Sequence, residues 1–262
     1  MDLLERARVK AGVELLRLEE ASLNAWPALQ QHLLEGWLLR FAGGYSKRAN
    51  SVNALYGTPT TDRAIEARIS LCEAHYARQG LPAIFRITPF VQPDDLDGRL
   101  VARGYRRIDT THVQTLDLSR RDGVPADAAR QGATRLVALS LDEWLTQVAA
   151  FSGKPSPLLQ RAILNAILPD HILGCLQHNG RVVACGLAVA EPPYGGLFSL
   201  ITAPALRRRG YGRALVGALA SWGRQRDATH AYLQVQESNP VAMNLYDKLG
   251  FQEAYAYWYR VR

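Results

Sequence analysis

The chain has 262 residues, 48% of them hydrophobic and 21% charged, which is enough for the packed cores of two domains of about 120 residues each. Its longest apolar run, Val182–Ala190, is too short to cross a bilayer, and Met1-Asp2-Leu3-Leu4-Glu5-Arg6 starts no secretory signal, so no membrane and a cytoplasmic location are expected. The cysteines Cys72, Cys175 and Cys185 lack CxxC spacing, which argues against disulfides and metal, while a net charge of +7 suits a polyanionic partner such as nucleic acid or a phosphate-bearing cofactor.

The segment Gly36–Asn53 is dense in aromatic, cationic and amide side chains around Gly43-Gly44 and reads as a hairpin with an amphipathic face. Ser51–Gly57 reads as a strand, Thr61–Gln79 as a helix and Ala83–Thr88 as a strand. Pro93–Ala102 reads as a helix ended by Gly104, and Thr111–Leu118 as a strand. The polar stretch Ser119–Asp127, with Gly123 and Pro125, is the candidate linker between domains at 1–120 and 130–262. Beyond it, Thr134–Leu139 reads as a strand, and Leu141–Phe151 and Pro157–Ile167 as helices. Ile172–Gln177 and Val182–Ala190 flank His178-Asn179-Gly180, a hairpin signal because Asn-Gly accepts positive φ at both central positions. Gly196–Thr202 is a further strand. The helix expected from Gly212 to Arg224 carries Leu215, Leu219 and Trp222 on one face. After a strand at Ala231–Val235, the helix Asn239–Leu249 has Asn239 as N-cap, Pro240 in its first turn and Gly250 past its end. Tyr255–Val261 closes the chain as a strand. The match of Arg103-Gly104-Tyr105 to Leu249-Gly250-Phe251 suggests an internal duplication.

Chemistry concentrates in Arg207-Arg208-Arg209-Gly210-Tyr211-Gly212-Arg213-Ala214, which follows a strand and opens a helix. The first turn of a helix presents unpaired N–H groups and the positive end of the macrodipole, so it attracts anions. Gly210 and Gly212 let the backbone curl close to a diphosphate, and the arginines add donors. The dinucleotide fingerprint fails because position 215 is Leu, and the Walker A loop fails because no lysine lies here. On these residues alone, a phosphate site and an exposed basic turn both remain open.

Arg207-x-x-Gly210-x-Gly212, followed by Asn239-Pro240-Val241-Ala242-Met243-Asn244-Leu245-Tyr246-Asp247-Lys248-Leu249-Gly250-Phe251, resembles the GNAT superfamily of acyl-CoA-dependent N-acetyltransferases in order and spacing. The resemblance covers roughly Thr134 to Arg262. It implies an α/β (α+β) fold, a mixed, mostly antiparallel sheet flanked by helices, in two tandem copies. It implies acetyl-CoA as acyl donor, one per chain, and a small-molecule or peptide amine as acceptor. Neither membrane nor nucleic acid is expected as a partner, since no recognition helix or stacking motif supports the latter; a homodimer fits this picture. Ser199–Ala203 would splay from its neighbour, and pantetheine would pair with backbone groups of Ile201, Thr202 and Ala203. Backbone N–H groups of Arg208, Arg209, Gly210, Tyr211, Gly212, Arg213 and Ala214, flanked by Arg207, would hold the diphosphate. Asn239 would be both a cap and a contact to the cofactor arm, and Tyr246 would protonate the leaving thiolate.

A phenol near sulfur can donate that proton, and fixed backbone donors stabilise developing oxyanion charge. The strand Gly196–Thr202 carries no carboxylate to act as base, and Glu191 and Glu237 read as surface charges. Arg40, Arg48 and Asn50 are candidates for an acceptor pocket between the halves, suited to an acceptor with a carboxylate or phosphate. The first half has Thr58-Pro59-Thr60-Thr61-Asp62-Arg63 in place of a Gly-x-Gly loop and Leu100 in place of Tyr246, so a single active site is expected, in the second half. The competing reading is a non-catalytic acyl-CoA-binding sensor or scaffold, which needs neither Tyr246 nor an acceptor pocket.

Overall fold

The computed structural model describes residues 3–57, 61–119, 134–154 and 158–262. The candidate linker therefore lies, apart from Ser119, outside the described residues, as does Pro157. The first half runs α1 (Leu3–Ala25), β1 (Gln30–Leu34), β2 (Trp37–Phe41), β3 (Val52–Asn53), α2 (Asp62–Arg78), β4 (Ile84–Ile87), α3 (Leu96–Ala102) and β5 (Arg106–Asp117). The second runs β6 (Thr134–Ala138), α4 (Leu141–Ser152), α5 (Leu158–Asn165), β7 (Asp170–His178), β8 (Arg181–Glu191), β9 (Tyr194–Thr202), α6 (Tyr211–Arg224), β10 (His230–Gln236), α7 (Pro240–Lys248) and β11 (Gln252–Val261).

Local chemistry explains most boundaries. Ser140 and Glu143 form a reciprocal capping box at the start of α4, and Gly153 ends that helix with a φ of 68°. Asn179 and Gly180 turn the β7–β8 hairpin at φ values of 50° and 77°. The duplicated triplets end α3 and α7 alike. Gly104 and Gly250 sit at φ 85° and 88°, and the next N–H reaches back to a helix carbonyl, Tyr105 to Leu100 at 2.9 Å and Phe251 to Tyr246 at 3.1 Å.

Sequence reading fails where tertiary contacts decide. The hairpin expected around Gly43-Gly44 turns instead at Glu35-Gly36, with φ values of 46° and 87°. A Cβ on Gly36 would fall 2.3 Å from the Tyr56 carbonyl oxygen, so this turn is reserved for glycine. Gly43 and Gly44 lead into a 3-10 turn, Lys47–Ala49. The strand expected over Ser51–Gly57 shrinks to β3. Helix α1 and strand β1 are elements that the pattern did not announce; β1 is an exposed edge strand, and α1 packs on β9 through residues such as Leu18, Ala21 and Ala25.

All the strands join one mixed sheet, in the order β1-β2-β3-β4-β11-β5-β10-β9-β8-β7-β6. The halves exchange their last strands. β5, which ends the first half, lies between β10 and β11 of the second, and β11 lies between β4 and β5 of the first. The arrangement β4-β11-β5-β10 is thus quasi-symmetric, and neither half completes its sheet alone. Helices α1, α4 and α5 cover one face with Phe198, Tyr232, Tyr255, Tyr257 and Tyr259. Helices α6 and α7 cover the other face over Leu197, Leu233 and Val235, and α2 and α3 continue it over Phe85 and Ile87. No helix among the described residues is long and apolar enough to cross a membrane.

Candidate active site

Strands β9 and β10 run parallel and pair only from Tyr194↔His230 to Leu197↔Leu233. Beyond that point β9 continues to Thr202 and β10 to Gln236 without pairing, so a wedge opens between them. A bulge helps to part them. Ser199 takes a φ of 51°, and the register on β8 slips between Leu187↔Phe198 and Cys185↔Ile201. The splay expected from the family resemblance is present.

On the α6 side of the wedge lies a cavity of ≈ 700 Å³, lined among others by Leu200, Ile201, Thr202, Arg207, Arg208, Gly210, Tyr211, Gly212 and Arg213. Helix α6 begins on Gly210 at φ 83°, with no side chain capping it. Its first N–H groups are therefore left to the cavity. Three expected contacts are not brought there. Arg209 is not part of the cavity wall. The Ala214 N–H donates to Gly210 O at 3.0 Å within the helix, and the Ala203 N–H donates to Val183 O at 3.0 Å across the sheet.

On the α1 side lies a second cavity of ≈ 430 Å³, walled by Ser46, Lys47, Arg48, Asp109 and Thr111 of the first half and by Phe198, Ser199, Gln234, Gln236, Tyr257 and Tyr259 of the second. The two cavities share Leu200, Asn239, Ala242 and Tyr246, so they meet at the wedge. Asn239 is also a cap, accepting from the Ala242 N–H at 3.2 Å. Tyr246 is 8% exposed, packs its ring 6.0 Å from Phe251, and its hydroxyl has no hydrogen-bond partner among the described residues. Burial pushes this phenol up to about 12, so it carries its proton at neutral pH.

Of the proposed acceptor residues, only Arg48 reaches a cavity. Its guanidinium carbon sits 5.1 Å from the Trp26 ring centre and 5.6 Å from that of Phe198, with no carboxylate partner among the described residues. Arg40 and Asn50 are buried and frame the loop that presents it. The Arg40 guanidinium donates to the carbonyls of Arg48, Leu23 and Trp26, at 2.8, 2.9 and 2.6 Å, tying α1 to the loop. Burial lowers it to about 10, still charged at neutral pH. Asn50 accepts from Ala42 and Gly44 N–H and donates to the carbonyls of Tyr45 and Ser46. Both side chains are held by backbone groups of the loop, and neither lines a cavity.

Glu191 and Glu237 line neither cavity; Glu191 accepts from Asn24 at 2.9 Å, and Glu237 is exposed past the end of β10. Sequence reasoning missed the floor of the second cavity. The period of two puts Gln234 with Gln236, and Tyr257 with Tyr259, on one face, a signal that was available once β10 and β11 were recognised. Behind them Arg86 and Glu19, both buried, pair at 2.8 Å, and the Arg86 guanidinium stacks 3.6 Å from the Tyr257 ring centre. Tyr257 donates to Gln234 at 2.8 Å and so fixes the amide that faces the cavity.

The family described as "Probable histone acetyltransferase Rv0428c C-terminal" matches residues 13–260. An uncharacterized N-acetyltransferase of Bacillus subtilis, YobR, is 27% identical over 95% of this chain and 99% of its own length. The ribosomal protein bS18-alanine N-acetyltransferase of Escherichia coli is 34% identical over 30% of this chain and 53% of its own. Among solved structures, a GCN5-related N-acetyltransferase from Kribbella flavida superposes with a TM-score of 0.66 at 14% identity, covering 94% of each chain. A tandem GNAT protein from the clavulanic acid biosynthesis pathway superposes at 0.61 and 16% identity, over 80% of this chain and 74% of that one.

Proposed function

The chain belongs to the Rv0428c C-terminal acetyltransferase family, an acyl-CoA-dependent GNAT N-acetyltransferase, and we propose that it transfers an acetyl group from acetyl-CoA to a primary amine. The observation that carries this reading is the meeting of two cavities at the β9–β10 wedge, with Tyr246 in the wall of both. The residues present suit the donor. The uncapped start of α6, with Gly210 in the left-handed region and Arg207, Arg208 and Arg213 in the wall, fits a diphosphate. The unpaired edge of β9 at Ile201 and Thr202 fits an amide-bearing arm.

Bound there, acetyl-CoA supplies the thioester carbonyl that the amine attacks. The chain's own residues do the rest. Tyr246, protonated and with its hydroxyl unpartnered among the described residues, donates its proton to the departing sulfur. The tyrosinate then recovers a proton from the amine nitrogen through solvent. Fixed N–H groups at the wedge stabilise charge on the carbonyl oxygen at little reorganisation cost. The acceptor lies in the ≈ 430 Å³ cavity, a volume suited to a small molecule. Arg48, a cation in that wall without a counter-ion among the described residues, favours an amine that also carries a carboxylate or phosphate. On this reading residues 130–262 carry the chemistry, and residues 1–120 are a GNAT-like repeat that has lost its own donor site.

Calorimetry with acetyl-CoA, followed by an amine panel monitored for free thiol, tests the reading. One acetyl-CoA per chain and turnover of at least one amine are expected. Binding without turnover on any amine would favour an acyl-CoA sensor or scaffold, and no binding at all would sink both.

A further inference from the structure

Resting on that reading, we propose that Asp109, delivered by the first half on β5, anchors the acceptor's ammonium group in the ≈ 430 Å³ cavity and takes its proton. Tyr246 recovers the proton that nitrogen loses after attack, but the one that makes the free acceptor an ammonium has no acceptor on β9, which carries no carboxylate. Asp109 is the one carboxylate among the described residues that line this cavity.

The backbone around Asp109 is built to present it. Tyr257 pairs with Thr111 and Tyr259 with Ile108, so Trp258 alone opposes both Asp109 and Thr110. That extra residue is a bulge, and Asp109 sits in it at φ 52°, a region that non-glycine residues seldom occupy. Ile108 packs into the core on the α1 side, while Asp109 lines the cavity on that same side. Regular strand alternation would send neighbours to opposite faces. Bulges that re-aim a side chain are common beside active sites.

Asp109 already holds a primary ammonium. Lys47 Nζ lies 2.7 Å from Asp109 Oδ2, with the two side chains 39% and 34% exposed at the cavity rim. Lys47 thus occupies the position that an acceptor ammonium would take, and its flexible stem lets it yield. The other charged and titratable groups around Asp109 are Arg48 on the loop, Arg107 on its own strand and Tyr257 and Tyr259 on β11. Glu237 stands past the end of β10, its N–H bonded to Thr110 O, and Tyr246 lies across the cavity. The glutamines supplied by β10 do not titrate.

The step balances. An ammonium N–H bond breaks as the proton passes to the Asp109 carboxylate, which releases it to solvent. The freed nitrogen lone pair forms the C–N bond as the C–S bond breaks, the thiolate takes its proton from Tyr246, and the nitrogen's second proton passes through solvent to restore Tyr246. Each turnover converts one ammonium and one thioester into an amide, a thiol and one released proton.

The test uses the full chain, acetyl-CoA, and a panel of amino acids, aminoalkyl phosphates, alkylamines and polyamines, read by free thiol and by calorimetry of the best amine without acetyl-CoA. Asp109→Asn keeps the shape and tolerates positive φ. It should bind acetyl-CoA with unchanged affinity, bind the amine more weakly, and lose about 100-fold in kcat/KM near neutral pH. That loss should shrink about tenfold per pH unit as the amine approaches its own pKa and arrives unprotonated. Asp109→Glu should restore part of the rate. The proposal is overturned if the wild type turns over an amine and Asp109→Asn keeps the wild-type amine affinity and pH profile. Failure of the wild type to bind acetyl-CoA, or binding with no turnover on any amine of the panel, would instead overturn the acetyl-transfer reading and the proposal with it.

Discussion

Helices α2 and α6 follow corresponding strands in the two halves, yet they begin in opposite ways. Thr61 caps α2, its hydroxyl accepting from the Ala64 N–H at 3.3 Å, and Asp62 adds a negative charge to the first turn. Helix α6 has no cap, no acid in its first turn and a run of arginines before it. A helix start that satisfies its own N–H groups is structure; one that leaves them bare at a basic cavity is available to an anion. The difference extends to the wedges. Beyond β3, at the place that corresponds to the β9–β10 opening, the first half is filled: Gln92 donates its N–H to Ala54 O at 2.8 Å, and its side chain lies against Gly57. Leu100, at the place of Tyr246, is fully buried in the α2–α3 core. The two halves share an architecture and differ in whether its polar groups are closed off.

The severest way to break this comparison is to separate the halves. A fragment of residues 130–262 lacks β5, so the slot between β10 and β11 is empty and both flanking strands lose a ladder of hydrogen bonds. It also lacks α1, whose Leu18, Ala21 and Ala25 belong to the core under β9. The fragment should show no cooperative unfolding transition and no acetyl-CoA binding by calorimetry, whereas the full chain should unfold as one unit. A fragment that folded and bound would mean that the strand exchange is dispensable.

The next effect is at Tyr246. Tyr246→Phe keeps the packing on Phe251 and removes the proton, so kcat should fall about 100-fold or more, with acetyl-CoA affinity little changed. The direction of the shift gives a second check. Burial raises this phenol from 10 to about 12, so the acid form persists through alkaline pH and is lost only as pH rises past that range. The wild-type kcat should therefore stay level up to about pH 10 instead of falling where an ordinary tyrosine would titrate. A fall in kcat centred below pH 10 that Tyr246→Phe abolishes would contradict the assigned environment.

How much of this was written in the sequence depends on the range of the interaction. The Asn179-Gly180 hairpin, the Asn239 cap, the paired glycine endings and the Arg207–Gly212 loop are local, set by φ preferences and helix-end chemistry within a few residues, and the sequence showed them. The proposed donor side of the site was legible for that reason. The acceptor side was not. Arg40 and Arg48 look alike in sequence; only the carbonyls of Leu23 and Trp26, at the far end of a helix with no clear apolar stripe, decide that Arg40 is structural. Asp109 depends on a bulge against a strand some 150 residues away in sequence, as the pairing of Ile108 with Tyr259 shows, and no local pattern encodes it. The strand exchange was illegible too, since β5 and β11 pattern equally well beside either half.

A third change places a negative charge at the bare helix start. Gly210→Asp puts a carboxylate at the N-terminus of α6 that would compete with the proposed diphosphate for the same N–H groups and repel it. A φ of 83° suits glycine, so some strain of roughly 1 kcal/mol is added. The dissociation constant for acetyl-CoA should rise about 30-fold, or ~2 kcal/mol, with the fold retained. Affinity at the wild-type level would show that the diphosphate is held elsewhere.

The mildest change completes the contrast at the other helix. Thr61→Ala removes the hydroxyl that accepts from the Ala64 N–H and leaves the rest of the first turn in place, including Asp62, which Arg99 Nη2 holds at 2.6 Å. Loss of such a cap costs about 1 kcal/mol. In a chain of this length, if it unfolds as a single unit, that should lower Tm by about 2 °C. Acetyl-CoA affinity should not move, because the α2 start lies at the wedge that Gln92 fills. Measured side by side, Gly210→Asp should change binding more than stability and Thr61→Ala stability alone. If Thr61→Ala weakened acetyl-CoA binding as much as Gly210→Asp does, the two helix starts would share a role, and the first half would have to be counted as part of the donor site.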